Sequence, residues 1–227
     1  MPKETFFRLP KEKQERLLEA ARIEFSRVPL QDAAIANIVK LADVSRGSFY
    51  QYFDDKEDLY YYYFDVLRLA SKRDYEVLLR EEQGDLFKAT RRYFRRWSEE
   101  AICGPNAAFY KNLFLYLDYQ GTSRVSPEIA RDDSLVKLRE QRVTKHKEKM
   151  VQLMEMIDTS KLKLTTDKDL IILIRILTSM MFGSINHAYK QETRGEKVDL
   201  EELKEEFDTK LGWLQYGVHQ NKVGGNE

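Results

Sequence analysis

Apolar residues recur along most of the chain at the three- and four-residue spacing of a single helical face. The first such face consists of Leu18, Ala21, Phe25 and Val28. This helix should end by Val28, because Pro29 disfavours the helical region for the residue before it. No stretch alternates apolar and polar residues with β-branched enrichment, so the pattern predicts an all-α fold without a sheet.

A long helix should open in the acidic stretch Asp54 to Asp58, since negative charge in the first turn suits the helix dipole. Its expected core face is Leu59, Tyr63, Val66 and Ala70. Further helices are predicted near 85–102, 105–119, 133–158, 167–193 and 199–220. The chain therefore divides into a compact unit before about residue 56 and a larger helical bundle after it.

Two short apolar patterns in the first unit predict a helix-turn-helix. One helix is held by Ile35, Ile38 and Val39, and the other by Phe49, Tyr52 and Phe53. The turn between them is Asp43-Val44-Ser45, and Ser45 is a good N-cap for the second helix. In such a unit the second helix can project its N-terminal side chains into a DNA major groove while the first crosses the backbone.

The second helix carries side chains that suit DNA. Arg46 can bind guanine O6 and N7, and Gln51 can pair with adenine. The serine and tyrosine hydroxyls of this helix suit phosphate oxygens, and so does Lys56 at the start of the next helix. Gly47 has no side chain and so permits a close approach of the backbone to DNA. The predicted DNA-binding residues are Ser45, Arg46, Gly47, Ser48, Tyr50, Gln51, Tyr52 and Lys56. The alternative is that they form only the polar surface of two small helices.

Charge weighs against DNA binding. The 227 residues carry 38 basic and 38 acidic side chains, and residues 1–60 hold ten basic and eleven acidic ones. This balance excludes a protein that coats nucleic acid by bulk attraction.

The single cysteine, Cys103, excludes an internal disulfide framework and fits a reducing cytoplasm. The charged start has no apolar targeting segment, and the apolar segment Asp169 to Ile185 contains Arg175, which favours a buried helix over a membrane span.

The segment Ala42 to Tyr60, ADVSRGSFYQYFDDKEDLY, resembles the helix-turn-helix signature of the TetR family of transcriptional regulators. Val44-Ser45, the run Phe49 to Phe53 and Lys56 to Leu59 carry the match, within a resemblance that spans roughly residues 11–70. Two positions depart from the pattern. Asp43 stands where the family usually has glycine, and Val39 stands where it often has alanine. Asp accepts a left-handed backbone better than most residues, so the turn should survive.

The resemblance implies a three-helix DNA-binding head at 1–55, with its motif at about 34–53, and an effector-binding and dimerisation bundle at 56–227. It implies a cytoplasmic homodimer that binds a palindromic operator in double-stranded DNA and responds to a small molecule, most simply as a repressor. It implies no membrane partner and no cofactor beyond the unknown effector. The alternative is an all-helical adaptor for protein interactions that keeps the fold without specific DNA binding.

The bundle offers candidate residues for dimerisation and for effector binding. A stripe at helical spacing predicts a dimer interface of Leu200, Leu203, Phe207, Leu211, Leu214 and Val218. The helix at 170–185 is apolar nearly all round, so a partner or its own monomer must cover more than one side. Residues suited to line an apolar pocket are Trp97, Phe109, Phe114, Arg142, His146, Met150, Met181 and Asn186, although core packing explains each equally well. Scattered histidines and the lack of a Gly-rich phosphate loop speak against an enzyme or a metal site.

Overall fold

The computed structural model describes residues 2–116 and 151–218, and these form helices joined by short turns without any strand. A 3₁₀ turn lies at Leu30–Asp32. The α-helices are α1 (Glu4–Phe7), α2 (Lys11–Arg27), α3 (Ile35–Ala42), α4 (Arg46–Tyr52), α5 (Lys56–Glu81), α6 (Leu86–Cys103), α7 (Ala107–Tyr116), α8 (Asp167–Thr193) and α9 (Leu200–Tyr216). The all-α prediction is confirmed.

The head consists of α2, α3 and α4, with the short α1 packed against it. Helix α2 ends where proline predicts it, because Val28 is the C-cap and has an extended backbone. Phe25, Ile38, Phe49 and Phe53 are fully buried between these helices. The predicted helix-turn-helix is therefore present, with α3 and α4 packed on a common aromatic and aliphatic core.

The bundle is formed by the C-terminal part of α5 with α6, α7, α8 and α9. Helix α8 has the bounds that the sequence predicted, and a capping box of Thr166 and Asp169 starts it. The predicted helix at 133–158 lies largely outside the described residues, and its described part is helical at 151–155. In the described chain α8 is also the one helix long and apolar enough to cross a membrane by length and composition.

The predicted core face of α5 is correct only at its start. Leu59 and Tyr63 are buried, but Val66 and Ala70 are exposed. The helix is covered near its two ends, where Leu59 to Phe64 meet the head and α7, and where Leu78 and Leu79 meet α6. The apolar spacing continues through the middle of α5 although that part is not buried by the described residues.

The stripe predicted on α9 as a dimer interface packs inside its own chain instead. Leu203, Phe207 and Leu211 are buried, and the Phe207 ring stacks on Phe94 of α6 with centroids 3.7 Å apart. The Lys204 ammonium lies 2.6 Å from the Glu99 carboxylate and reinforces this contact. Leu200 and Leu214 are half-buried against the same core, whereas Val218 is 70% exposed beyond the helix. Intramolecular packing thus accounts for the stripe, and the dimer prediction needs another surface.

A left-handed turn between α5 and α6 joins the bundle to the segment before α8. Gly84 has φ +79, and its carbonyl accepts a hydrogen bond from the Asp158 amide at 3.0 Å. A Cβ at this position would lie 2.6 Å from the Asp158 nitrogen. Glycine is therefore required both by its backbone conformation and by the close approach of the neighbouring chain.

Candidate nucleic-acid interface and effector core

The helix-turn-helix is built on a left-handed turn. Asp43 has φ 54 and ψ 52, and the following amide of Val44 donates to the Val39 carbonyl at 3.1 Å. The predicted survival of this turn without glycine is confirmed. Ser45 then caps α4, because its hydroxyl accepts the Ser48 amide at 3.0 Å. The turn and the cap together set the direction in which α4 leaves α3.

Four of the predicted DNA-binding residues form the outward surface of α4. Arg46, Gly47, Tyr50 and Gln51 are exposed and lie one helical turn apart in pairs, so that they share one side of the helix. The Arg46 guanidinium is 3.5 Å from the Tyr50 hydroxyl and 6.0 Å from the Tyr50 ring centre. This pair holds a cation and a hydroxyl beside an open glycine. We call these four residues the reading face.

The other residues predicted on α4 hold the helix in place. Ser45 and Ser48 bond each other through their hydroxyls at 2.8 Å, and Ser48 is half-buried. Tyr52 is half-buried and packs against the core of the head. Their primary contacts are therefore internal, and the residues that point most openly away from the protein are those of the reading face.

Lys56 occupies the first position of α5 but is engaged within the head. Its ammonium donates to the carbonyls of Gln31 at 2.7 Å and Ala33 at 3.0 Å. The first turn of α5 is also capped, because the Asp55 carboxylate accepts the Asp58 amide at 2.7 Å. The role predicted for Lys56 was phosphate binding. Its contacts in the structure tie the start of α5 to the loop before α3, and phosphate binding by Lys56 stays a prediction.

A buried carboxylate that the sequence analysis missed orients α3. Glu24 is 1% exposed, and it accepts hydrogen bonds from Arg27 at 2.8 and 2.9 Å, from the Ala34 amide at 2.8 Å and from Asn37 at 3.1 Å. Burial alone would raise the pKa of Glu24, but the hydrogen bonds from Arg27, Ala34 and Asn37 outweigh it and lower the pKa. The ionised Glu24 thus binds the start of α3 to α2.

The head is joined to the bundle mainly through α7. Asn112 donates to the carbonyls of Phe25 at 2.9 Å and Ser26 at 3.2 Å, and so caps the end of α2. Arg22 donates to the Pro105 carbonyl at 3.1 Å. Phe109, predicted as a pocket residue, packs here instead, with its ring 5.2 Å from Tyr60. Periodicity did not single out Asn112, because a capping side chain between distant segments leaves no local pattern.

The described part of the predicted pocket contains an aromatic cluster. Trp97, Phe114 and Phe182 lie with ring centres 5.4 to 6.3 Å apart. Asn186 donates to the Phe114 carbonyl at 3.5 Å, and its buried Oδ1 has no hydrogen-bond partner among the described residues. Met181 is half-buried against this core. The remaining predicted residues, Arg142, His146 and Met150, lie outside the described residues.

A small cleft of about 50 Å³ opens elsewhere, at the seam between the head and α7. Its lining consists of Leu30, Gln31, Tyr60, Tyr61, Asn112, Leu113 and Tyr116. Ligand pockets commonly reach several hundred Å³, so this cleft fits a few waters or a small group. Within the described parts of the chain, no group of three His, Cys, Asp or Glu residues comes together in a way that could hold a metal ion.

Three solved structures illustrate the similarity to known proteins. FadR of Bacillus subtilis, solved with stearoyl-CoA, is 20% identical over 90% of this chain and 99% of its own, with a TM-score of 0.55. A TetR family regulator of Chloroflexus aurantiacus J-10-FL is 24% identical over 94% and 90%, with a TM-score of 0.46. A TetR regulator of Rhodococcus sp. RHA1 is 16% identical over 92% and 99%, with a TM-score of 0.48. A comparison with curated proteins gives no match.

Two family models cover most of the chain. The model of bacterial regulatory proteins of the tetR family matches residues 17–64, which include the helix-turn-helix and the reading face. The model of the tetracyclin repressor-like C-terminal domain matches residues 85–218, more than half of the chain. The helix-turn-helix, the bundle and both matches agree, and the chain belongs to the TetR family of ligand-responsive, DNA-binding transcriptional regulators.

Proposed function

We propose that the protein is a non-enzymatic, cytoplasmic repressor that binds a palindromic operator as a homodimer and leaves it when a small apolar molecule enters the bundle. In this proposal residues 1–55 form the DNA-binding domain and residues 56–227 form the effector-binding and dimerisation domain. The observation that carries it is the reading face, since an arginine, a glutamine and a tyrosine surround an open glycine on a rigidly capped helix. These groups suit base edges and phosphates.

The proposed dimer interface is the outer surface of α8 and α9. Ile172 and Ile176 are exposed on α8, and Trp213 and Tyr216 are exposed on α9. Only 28% of the apolar window of α8 is buried within the chain, although the helix is apolar on nearly every side. Exposed apolar side chains on two adjacent helices favour a second copy of the chain as their cover.

A charge on this surface tests the interface. Ile176→Glu should shift the protein from dimer to monomer in light scattering coupled to gel filtration, because a carboxylate would be buried without a partner. Val77→Glu is a matched control, since Val77 on α5 and Ile176 are each 44% exposed. Dimers from both variants, or monomers from both, would contradict the proposed surface.

The effector site is proposed around Trp97, Phe114 and Phe182. Aromatic walls with a buried amide oxygen at Asn186, which has no partner in the described part of the chain, suit an apolar molecule that offers a hydrogen-bond donor. FadR, a protein of similar fold, was solved with stearoyl-CoA, so long-chain acyl compounds are reasonable first ligands to test. Native mass spectrometry of the purified protein would reveal a retained small molecule, and Trp97 fluorescence would report binding of an added one.

Effector binding in the bundle is proposed to act on the head through two helices. One is α5, which packs against both the head and the bundle, and the other is α7. Asn112 joins α7 to the end of α2, and Phe109 joins it to Tyr60 on α5. A movement of α7 would therefore tilt the head and change the distance between the two reading faces in the dimer. The coupling cannot exceed the preference of the effector for one state. Asn112→Ala should weaken release by effector more than it weakens DNA binding.

The direct experiment is selection of duplexes from a random-sequence pool by the purified protein, followed by anisotropy titration at several salt concentrations. A specific regulator should enrich one palindromic sequence, with affinity that falls steeply as salt rises. A protein that enriches no sequence at any salt concentration would instead support the adaptor, in which the fold persists without specific DNA binding.

A further inference from the structure

Helix α4 is short, and its C-terminal carbonyls need partners from outside the helix. An α-helix leaves its last four carbonyls without intrahelical donors, and a seven-residue helix is marginal in water by itself. The Phe53 amide serves the first of these carbonyls, at Phe49, at 2.9 Å. The carbonyls of Tyr50, Gln51 and Tyr52 remain, and two of them belong to residues of the reading face, Tyr50 and Gln51.

The segment before α2 supplies all three missing donors. The Lys3 ammonium donates to the Tyr50 carbonyl at 2.9 Å, and the Lys3 amide donates to the Tyr52 carbonyl at 2.8 Å. The Thr5 hydroxyl donates to the Gln51 carbonyl. A cation at this end also suits the negative end of the helix dipole. We call residues 3–9 the brace segment.

An aromatic anchor fixes the brace segment on the head. Phe6 is fully buried, with its ring 5.1 Å from Phe53 and 5.3 Å from Tyr62. The Lys3 ammonium also lies 2.7 Å from the carboxylate of Asp54, in the loop that follows α4. The donors are therefore held in place before DNA arrives, and the last turn of α4 is fastened at its backbone and at its exit.

We propose that Lys3 and Thr5 are positioning residues, which hold α4 in the pose that reads DNA and thereby set the affinity for DNA without contacting it. They bind the backbone carbonyls of Tyr50, Gln51 and Tyr52. Two of these residues, Tyr50 and Gln51, belong to the reading face. This role rests on the proposed DNA reading for its effect on affinity. The effect on the helix itself can be measured without DNA.

Hydrogen exchange measures the brace directly. The double variant Lys3→Met, Thr5→Val removes both side-chain donors and keeps their approximate shape. Amides at 50–53 of the free protein should exchange about 10- to 30-fold faster, as expected for two lost hydrogen bonds. Arg8→Met is the matched control, because Arg8 is a cation of the same segment that pairs with exposed Glu4. Equal exchange in the double variant and in the control would overturn the proposal.

The DNA measurement separates positioning from direct contact. The probe is a fluorescein-labelled duplex that the wild-type protein recovers from a random pool. Lys3→Met should bind it about 3- to 10-fold more weakly, since part of the binding energy must then order α4, and the slope of log affinity against log salt should stay unchanged. A slope smaller by about 0.9 would assign Lys3 to a phosphate and overturn the positioning role.

The remaining outcomes also decide the proposal. Faster exchange with unchanged affinity would mean that the brace stabilises α4 without governing DNA binding, which refutes the proposed role of Lys3 and Thr5. A wild-type protein that recovers no duplex would refute the proposed DNA reading. In that case the exchange comparison would still decide whether the brace segment holds the helix.

Discussion

Gly47→Ala separates the stability of the head from its fit to DNA. Gly47 is the second residue of α4, and the nearest atom to an added Cβ is the Ser45 Oγ at 3.8 Å, an ordinary contact. Alanine is favoured over glycine inside a helix by about 0.5–1 kcal/mol. Because Gly47 is in the first turn, we expect the lower half of that range. For a chain of this size the thermal midpoint should rise by about 1–3 °C.

The same methyl should weaken DNA binding if the backbone of Gly47 approaches the duplex closely. Overpacking of a well-fitted contact costs about 1–3 kcal/mol, which corresponds to roughly a 5- to 150-fold loss of affinity. Anisotropy titration with a duplex selected by the wild-type protein measures this loss, and calorimetry measures the midpoint. A variant that is more stable and binds the duplex as tightly as the wild type would refute the close approach.

Four further substitutions test the head. Glu24→Gln should lower the free energy of unfolding by about 1–3 kcal/mol near neutral pH. Because the pKa of Glu24 is lowered in the folded protein, the urea midpoints of wild type and variant should converge as the pH falls through that pKa. A difference that stays constant with pH would argue against an ionised Glu24 network. Asp43→Gly should stabilise the left-handed turn by about 0.5–1 kcal/mol in the same assay, whereas destabilisation would mean that the Asp43 side chain contributes a contact. Arg46→Ala should reduce the preference for one base at one position of the duplex by about 1–3 kcal/mol, and Tyr50→Phe should lower the affinity for all duplexes alike. Equal losses of affinity on every duplex for Arg46→Ala would show that Arg46 contacts a phosphate.

Local signals predicted the helices of this chain well. The bounds of α8 follow from the Thr166 cap, a largely apolar run and the turn at Gly195, all of which act within a few residues. Val28 ends α2 because the following proline acts on its neighbour alone. The reading face was predictable for the same reason, since Phe49 and Phe53 point inward and leave the opposite side of α4 to solvent.

Choices between distant partners could not be read from the sequence. The stripe on α9 specifies an apolar cover, but Phe94 of its own chain and a second subunit satisfy that pattern equally. Helix α1 could not be predicted, because four residues are too few to show a helical repeat of apolar positions. The burial of Phe6 depends on Phe53 and Tyr62, which lie far along the chain. Nothing local in the sequence indicates the two carbonyls that hold Lys56, because they lie 25 and 23 residues away along the chain.

Near-neutral charge limits non-specific attraction to DNA, so a few placed side chains must supply recognition. Residues 1–60 hold eleven acidic and ten basic residues. Several of its cations are held by internal partners, among them Lys3, Arg22, Arg27 and Lys56. In the proposed function, recognition therefore depends on the reading face, used twice if the protein is a dimer.

If the reading face recognises DNA, the protein must prefer one duplex sequence over others. The most direct measurement is the affinity of the purified protein for the duplex it enriches from a random pool, compared with a scrambled duplex of equal length across salt concentrations. The expected result is an enriched sequence with two-fold symmetry, bound far more tightly than the scrambled one at every salt concentration. Equal affinity for the two duplexes throughout the titration would contradict it.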